Sequence, residues 1–321
     1  VVVVKERLLL EGETFSVVRC QGCGLLRTDP RPTKSEHSRY YPAHYGPYQP
    51  AEVAAQPWLR PGLKGLIRRW TLTTHYSYRL AHLGGVRARV IGAVTRPLKG
   101  RYVTFPPFRP GGRLVEVGCA TGGRLCLLQS LGWEVRGVEI NERACQVART
   151  RYGLDVFCGE LWEAGLPDAS VDAVVMSHVI EHLPDPVRTL REVRRILRPR
   201  GVLIMETPNA GGLERRLFGP WWFSWETPRH LFLFDVRTLS VCCAMAGLRV
   251  RSLAYSSSVA AWTRSLAYWL EDRRPAGAAA WWKPLLRREA VWGRVLKPLG
   301  LLLALAGLSG RLIAVAEASD G

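Results

Sequence analysis

Several features that would narrow the function at once are missing from this chain. No apolar run reaches the ~20 residues that a membrane-spanning helix needs; the longest, from Leu299 to Leu308, falls well short. No secretory leader is evident, and the chain opens Val1-Val2-Val3-Val4 without a methionine, as expected of a fragment or an unusual start codon. Zinc-finger and RNA-binding signatures are absent, and no basic stripe interleaves with aromatics at even spacing. Acid is scarce: 27 Asp and Glu stand against 45 Lys and Arg, a net charge of +18. Such a balance permits nucleic acid, anionic membrane or acidic substrates as partners, but the arginines are scattered, which reads as solvated surface. Cysteine is thin, at eight residues in 321. Cys119, Cys126, Cys145 and Cys158 fall inside apolar patterns, as reduced core thiols do, so a cytoplasmic, reducing compartment is expected.

What is present suffices for one core domain with appendages, at 321 residues and 47% hydrophobic content. Its centre is 114–123, Leu-Val-Glu-Val-Gly-Cys-Ala-Thr-Gly-Gly. A short apolar run, a turn of small residues and a helical pattern (Leu125, Leu127, Leu128, Leu131, stopped at Gly132) read as strand, tight turn and helix. That is the first crossover of a doubly wound α/β sheet, whose strand ends face a ligand crevice. Strand–helix alternation continues to about residue 255. Strands are expected at 133–139, 154–158, 171–177, 202–206 and 248–254, with a helix capped by Asn141 and another opened by Asp185-Pro186. The stretch 198–201, Arg-Pro-Arg-Gly, reads as the stop of that second helix, which takes in Leu197. A further strand at 312–316 closes the pattern.

Dinucleotide spacing would require glycine at Gly118, at position 120 and at Gly123, and position 120 is Ala120. A carboxylate before the first glycine, Glu116, suits a cationic ligand better than a pyrophosphate. The stretch closely resembles motif I of the class I S-adenosylmethionine-dependent methyltransferases, with Ala120 in place of a more usual glycine. The segments 170–175, 181–186 and 197–201 resemble later motifs of that family. The segment 228–231 (Pro-Arg-His-Leu) resembles a branch acting on small molecules such as quinone precursors, sugars and natural products. The resemblance implies a seven-stranded, mostly parallel Rossmann-like sheet whose last strand runs antiparallel.

Under that resemblance the acidic residues ending successive strands acquire roles. Glu116 would face the methionine end of S-adenosylmethionine, Glu139 would accept the ribose hydroxyls, and Glu160 would meet the adenine edge. The cofactor set extends to Gly118, Cys119, Ala120, Thr121, Gly122, Ile140, Leu161, Ser177 and His178. An oxygen nucleophile needs a base near neutral pKa, and His182 and His230 are the candidates. In some relatives a Glu-His pair at this place helps hold a divalent metal, here Glu181 and His182. Tyr41 and Tyr45 belong to a tyrosine-rich loop expected to pack on the core or flap over the pocket. Asn209, Trp222, Trp225 and Arg229 complete the expected substrate wall, with Arg229 available to an anionic group.

The expected organisation is a head at 1–50, a helical linker at 51–110, the core at 111–255, and an amphipathic segment with a final strand at 256–321. Cys20 and Cys23 form a knuckle supplying half of a zinc site. It resembles the zinc-ribbon head of some of these enzymes without their upstream cysteine pair, with His37 and His44 as further candidate ligands. The tail alternates tryptophan, arginine and leucine as interfacial helices do, which suggests peripheral membrane contact, an edge cover or a homodimer contact. The expected partner is a small molecule, with lipid-linked and sugar-like substrates included. Nucleic acid is not expected, because Ala210 and Gly211 break the amino-methylating motif after Asn209. The alternatives are a nicotinamide-dependent oxidoreductase on a similar sheet and a silent adaptor that keeps the fold.

Overall fold

Valine and isoleucine alternate with small and polar residues along the central segments, and in the computed structural model they become a seven-stranded sheet. The structure describes residues 1–7, 13–33, 36, 38–41, 45–49, 61–96, 103–273 and 289–319. The strands are β4 (Arg113–Val117), β5 (Glu134–Glu139), β6 (Val156–Cys158), β7 (Val171–Ser177), β8 (Leu197–Pro208), β10 (Leu248–Tyr255) and β11 (Arg311–Ala318). Their order is β10-β11-β8-β7-β4-β5-β6, with β4 parallel to both β5 and β7. The last strand, β11, is antiparallel to β8 and to β10, as expected. The chain winds outward from β4 through β5 to β6, then returns to start again at β7. The strand order therefore reverses between β4 and β7, and the C-terminal ends of those two strands flank the crevice.

Alternation along β4 divides the core. Val115 and Val117 face α5 (Pro186–Ile196) and α7 (Val236–Met245), while Leu114 faces α3 (Gly123–Ser130) and α4 (Glu142–Tyr152). The helix ends carry their expected signals. Asn141 accepts from the Ala144 N–H at 2.9 Å, Gly153 closes α4 at φ 64°, and Asp185 accepts from the Arg188 N–H at 3.0 Å. One boundary differs from expectation. Helix α5 ends at Ile196, and Leu197 already pairs with Val171 as the first residue of β8. The expected stop at 198–201 is a bulge within the strand, because the next pair is Ala173 with Val202. Buried Asp172 pins it there, accepting from Arg198 at 2.7 Å, Arg109 at 3.0 Å and the Arg113 N–H at 3.0 Å.

Helices α1 (Leu63–Tyr76) and α2 (Gly85–Thr95) pack on each other, and Leu72 and Tyr76 of α1 join the α3/α4 side of the core. The head is a second sheet in the order β1 (Val2–Lys5), β2 (Thr14–Arg19), β3 (Leu26–Asp29), β9 (Phe232–Leu233). Its fourth strand comes from the core unit, so the head expected at 1–50 is sewn to the rest through Arg27–Phe232 and Leu26–Leu233 pairing. After α6 (Leu213–Phe218), the tail supplies α8 (Ala260–Arg273), α9 (Glu289–Val295) and α10 (Lys297–Leu305). Trp281 and Trp282 lie outside the described residues.

Candidate active site

The turn after β4 takes the shape its small residues allow. Gly118 and Gly122 sit at φ 68° and 83°, and Ala120 adopts φ 47°, a left-handed conformation that costs a side-chain-bearing residue about 1 kcal/mol. The Ala120 N–H donates to Glu139 Oε2 at 2.9 Å, and the Asn141 N–H donates to Glu139 Oε1 at 2.9 Å. Buried Glu139 is thus aimed across the turn, with one further lone pair on each oxygen. Burial raises its pKa against those hydrogen bonds.

Glu116, on the neighbouring strand, is also buried, and its Oε2 has no hydrogen-bond partner among the described residues. Burial pushes it up to about 7, Arg124 opposes this, and Glu139 adds to it. Arg124 lies 3.8 Å from Glu116 and 3.8 Å from Glu206, and its Nη1 is likewise buried without a partner. Glu206 also receives Ser177 Oγ at 3.2 Å and Arg311 at 3.3 Å. Arg124 and Glu206 were not among the expected site residues. A signal for each existed: an arginine in the first turn of a helix opposes the helix dipole, and Glu206 ends a strand as Glu116 and Glu139 do.

Glu160 departs from its expected role. It caps the 3-10 turn Leu161–Glu163 in a capping box, with its own N–H donating to Glu163 Oε2 at 2.9 Å. The adjacent Gly159 N–H donates to the Glu139 carbonyl at 2.9 Å, so the residue is beside the crevice while its carboxylate serves the turn. Leu161 is buried below, and Ile140 is exposed at the rim. Cys119 is buried and Thr121 Oγ1 approaches the Gln49 carbonyl at 3.5 Å.

Beyond β7 a buried polar cluster follows. His178 has φ 55° and its Nδ1 lies 3.1 Å from Glu181 Oε1, while Thr207 Oγ1 donates to Glu181 Oε2 at 2.9 Å. Burial would raise the Glu181 carboxyl, but the His178 hydrogen bond and the charges of His178, His182 and His230 overcome it and hold it at about 2. His182 Nδ1 lies 3.0 Å from the Arg229 carbonyl and 2.9 Å from the Tyr41 hydroxyl. His230 Nδ1 lies 2.8 Å from the Ser224 carbonyl. A carbonyl only accepts, so both rings carry the proton on Nδ1 and leave Nε2 with a lone pair. Burial pushes both imidazoles down to about 4, and their rings meet edge to face at 4.7 Å. One ligand atom from each of Glu181, His182 and His230 lies within 4.8 Å of the others, so this donor set fits a divalent cation.

Tyr41 meets the cluster, its ring edge to face with His182 at 6.1 Å. Tyr41 packs on Tyr45 at 5.3 Å and Tyr45 on Tyr48 at 5.3 Å, joining His182 to the glycine turn. Burial, and then the Glu139 charge, raise the Tyr48 hydroxyl.

The expected substrate wall is corrected at four positions. Trp222 and Trp225 are fully buried with Val4, Val17 and Leu233, forming the core of the head sheet. An aromatic run here fills the seam between sheets rather than facing solvent. Arg229 is fully buried and bonded to Glu6 at 3.2 and 3.3 Å, with Glu226 at 3.8 Å, so it is not open to an anion. Asn209 donates to the Ser309 carbonyl at 2.8 Å and accepts from the Gly211 N–H at 3.0 Å, tying β8 to the chain entering β11. Cys20 and Cys23 sit at the β2–β3 turn, the first exposed and the second half-buried. Among the described residues no third ligand joins them; His37 and His44 lie outside that set.

Comparison with known proteins gives a consistent pattern. A family model described as a methyltransferase domain matches residues 92–253, just over half of the chain. A Mycobacterium tuberculosis protein named "probable S-adenosylmethionine-dependent methyltransferase" is 42% identical over 97 residues, 30% of this chain and 35% of that protein. A malonyl-[acyl-carrier protein] O-methyltransferase from Serratia marcescens is 28% identical over 154 residues, covering 47% and 60%. The chain thus spans between about a third and three-fifths of these relatives. Among solved structures, an S-adenosylmethionine-dependent methyltransferase from Archaeoglobus fulgidus aligns over 71% of this chain and 93% of that one, with TM-score 0.45 and 21% identity.

Proposed function

Since this chain belongs to the methyltransferase-domain family, we propose that it transfers the methyl group of S-adenosylmethionine to a small molecule, at oxygen in the first instance. The observation that carries this reading is the pair of buried carboxylates, Glu116 and Glu139, at neighbouring strand tips around the glycine turn. The orphaned Glu116 Oε2 is an acceptor looking for a donor, and an ammonium group satisfies it. The free lone pairs of Glu139 suit two vicinal hydroxyls. When bound, S-adenosylmethionine supplies an activated methyl on sulfonium, so the protein's part is alignment and exclusion of water.

The histidine pair supplies the proton acceptor. Burial lowers His182 and His230 below the neutral range expected of a base, so both stand ready to accept a proton but hold it weakly; Glu181 beside them offsets this by stabilising the imidazolium that forms as a hydroxyl gives up its proton. The Arg229 and Ser224 carbonyls hold each ring so that Nε2 does the accepting. A divalent ion held by Glu181, His182 and His230 would instead supply Lewis acidity to the same hydroxyl. The O-directed reading is supported by the Serratia relative, which methylates oxygen by its name. Lipid-linked and sugar-like molecules belong to the substrate class we propose.

The test is a transfer assay with S-adenosylmethionine carrying a labelled methyl, run against a fractionated small-molecule extract. Label should enter a small-molecule fraction and stay out of nucleic acid, and His182→Ala should abolish transfer while S-adenosylhomocysteine still binds. Retained transfer in both His182→Ala and His230→Ala would remove the histidine pair from the mechanism.

A further inference from the structure

Outside the crevice the least explained surface is the outer side of α9 and α10. Val291, Val295, Leu299, Leu302 and Leu305 follow one another at spacings of four, four, three and three, the signature of one helical stripe. All five are exposed, Leu302 at 64% and Leu305 at 85%. The opposite side is firmly seated: Leu303 is buried, and Gly300 lies so close to the Ser257 carbonyl that no side chain would fit. The stripe is therefore the outer face of a docked element. Arg294 and Lys297 lie on the same helices and are exposed, and no acid occurs from Val291 to Leu308.

We propose that this face docks on the surface of an anionic lipid bilayer. Apolar side chains flanked by cations, on a chain of net charge +18, match an acyl boundary beneath negative headgroups. A second copy fits less well, since self-pairing of the stripe brings Arg294 and Lys297 towards their own like charges. A protein partner fits less well too, because the five residues are aliphatic and lack the aromatic anchors of protein hot spots. No helix among the described residues is long and apolar enough to cross a membrane, so the element lies on the surface. The docking face is tied to the segment that follows the C-terminal end of β8. Just past α10, the Leu308 carbonyl accepts from the Leu213 N–H at 2.8 Å and the Ser309 carbonyl accepts from Asn209 at 2.8 Å. Docking would thus bring the crevice end of the sheet close to the lipid surface, where apolar substrates collect.

The inference does not depend on the reaction, and its test is separate. The full chain is sedimented with phosphatidylcholine vesicles, with and without phosphatidylglycerol. Binding should require phosphatidylglycerol and weaken with salt. Leu302→Glu/Leu305→Glu and Arg294→Glu/Lys297→Glu should each lower the partition coefficient by about tenfold or more, with the circular dichroism spectrum and melting midpoint unchanged as the check on folding. No binding of the wild-type chain to anionic vesicles overturns the proposal, as does wild-type binding by the leucine double variant. A dimer that light scattering detects in the wild type and that Leu302→Glu/Leu305→Glu dissolves would assign the face to a second copy instead.

Discussion

The two sheets of this protein are built on opposite plans. The seven-stranded sheet is contiguous in sequence for most of its length, and its turns, caps and strand-end carboxylates are local features. The four-stranded head draws β9 from about two hundred residues downstream, and its core is completed by Trp222 and Trp225 of the same distant stretch. Most candidate cofactor residues belong to the first sheet, while His178 of that set meets Glu181 and Thr121 approaches the Gln49 carbonyl. The candidate base and its supports belong to the seam: His182 follows β7, His230 precedes β9, Tyr41 comes from the head, and Glu6 of the head neutralises Arg229. The proposed roles therefore predict that binding of the methyl donor and handling of the proton are separable by mutation.

Breaking the seam should have the largest effect. Glu6→Ala leaves the buried Arg229 guanidinium with Glu226 at 3.8 Å as its one remaining carboxylate among the described residues, and should cost roughly 3–5 kcal/mol in chemical denaturation. If the plans are separable, the affinity for S-adenosylhomocysteine stays at the wild-type value. A comparable fall in affinity would show that the two sheets act as one unit.

Breaking the core-sheet site comes next. Glu139→Ala leaves the Ala120 and Asn141 N–H groups without their acceptor and removes the proposed hydroxyl contact. A loss of about 2–3 kcal/mol corresponds to S-adenosylhomocysteine binding weaker by roughly a hundredfold in calorimetry. Thermal stability should fall far less than in Glu6→Ala.

The boundary between the plans has its own titration. Glu214 of α6 is buried, near the Trp222 and Trp262 indoles, yet its Oε2 meets no hydrogen-bond donor in good geometry. Burial pushes it up to about 7 from the ordinary 4.5, although those indoles oppose the rise. Between these values the folded chain keeps a proton that the unfolded chain releases. Stability from this group is thus present below pH 4.5 and lost as pH rises through 7, by about 3 kcal/mol. His182 and His230, pushed down to about 4, work in the opposite sense: their stability is present above pH 6.5 and is lost as pH falls towards 4. Denaturation midpoints of the wild type and of Glu214→Gln, compared from pH 5 to 8, isolate the first group. The difference should shift steadily in favour of Glu214→Gln as pH rises, and a flat difference would contradict the assignment.

The smallest expected effect lies in the turn. Ala120→Gly relieves the left-handed alanine at φ 47° and should gain less than about 1 kcal/mol, because glycine also frees the unfolded chain. A loss of stability would mean that the methyl group is needed for packing.

The same contrast explains what could be read before the fold was known. Turn glycines, the Asn141 and Asp185 caps and the strand-end carboxylates depend on neighbours within a few residues, so their placement follows from local chemistry. The stop at 198–201 was misplaced because Asp172, a residue of another strand, holds it within β8. Arg229 and Trp222 looked available for substrate because their partners, Glu6 and Val4, are more than two hundred positions away. No periodicity carries that information. Glu160 lies two residues beyond the end of β6 at Cys158, and the glutamate three residues later makes it a cap, a local signal that competed with the crevice.

The central claim is that Glu116 and Glu139 share a crevice made for a cationic methyl donor. A calorimetric titration of the full chain with S-adenosylhomocysteine and, in parallel, with NAD tests it most directly. Saturable heat with the first and none with the second is the predicted result. Heat with NAD, or none with S-adenosylhomocysteine, would contradict it.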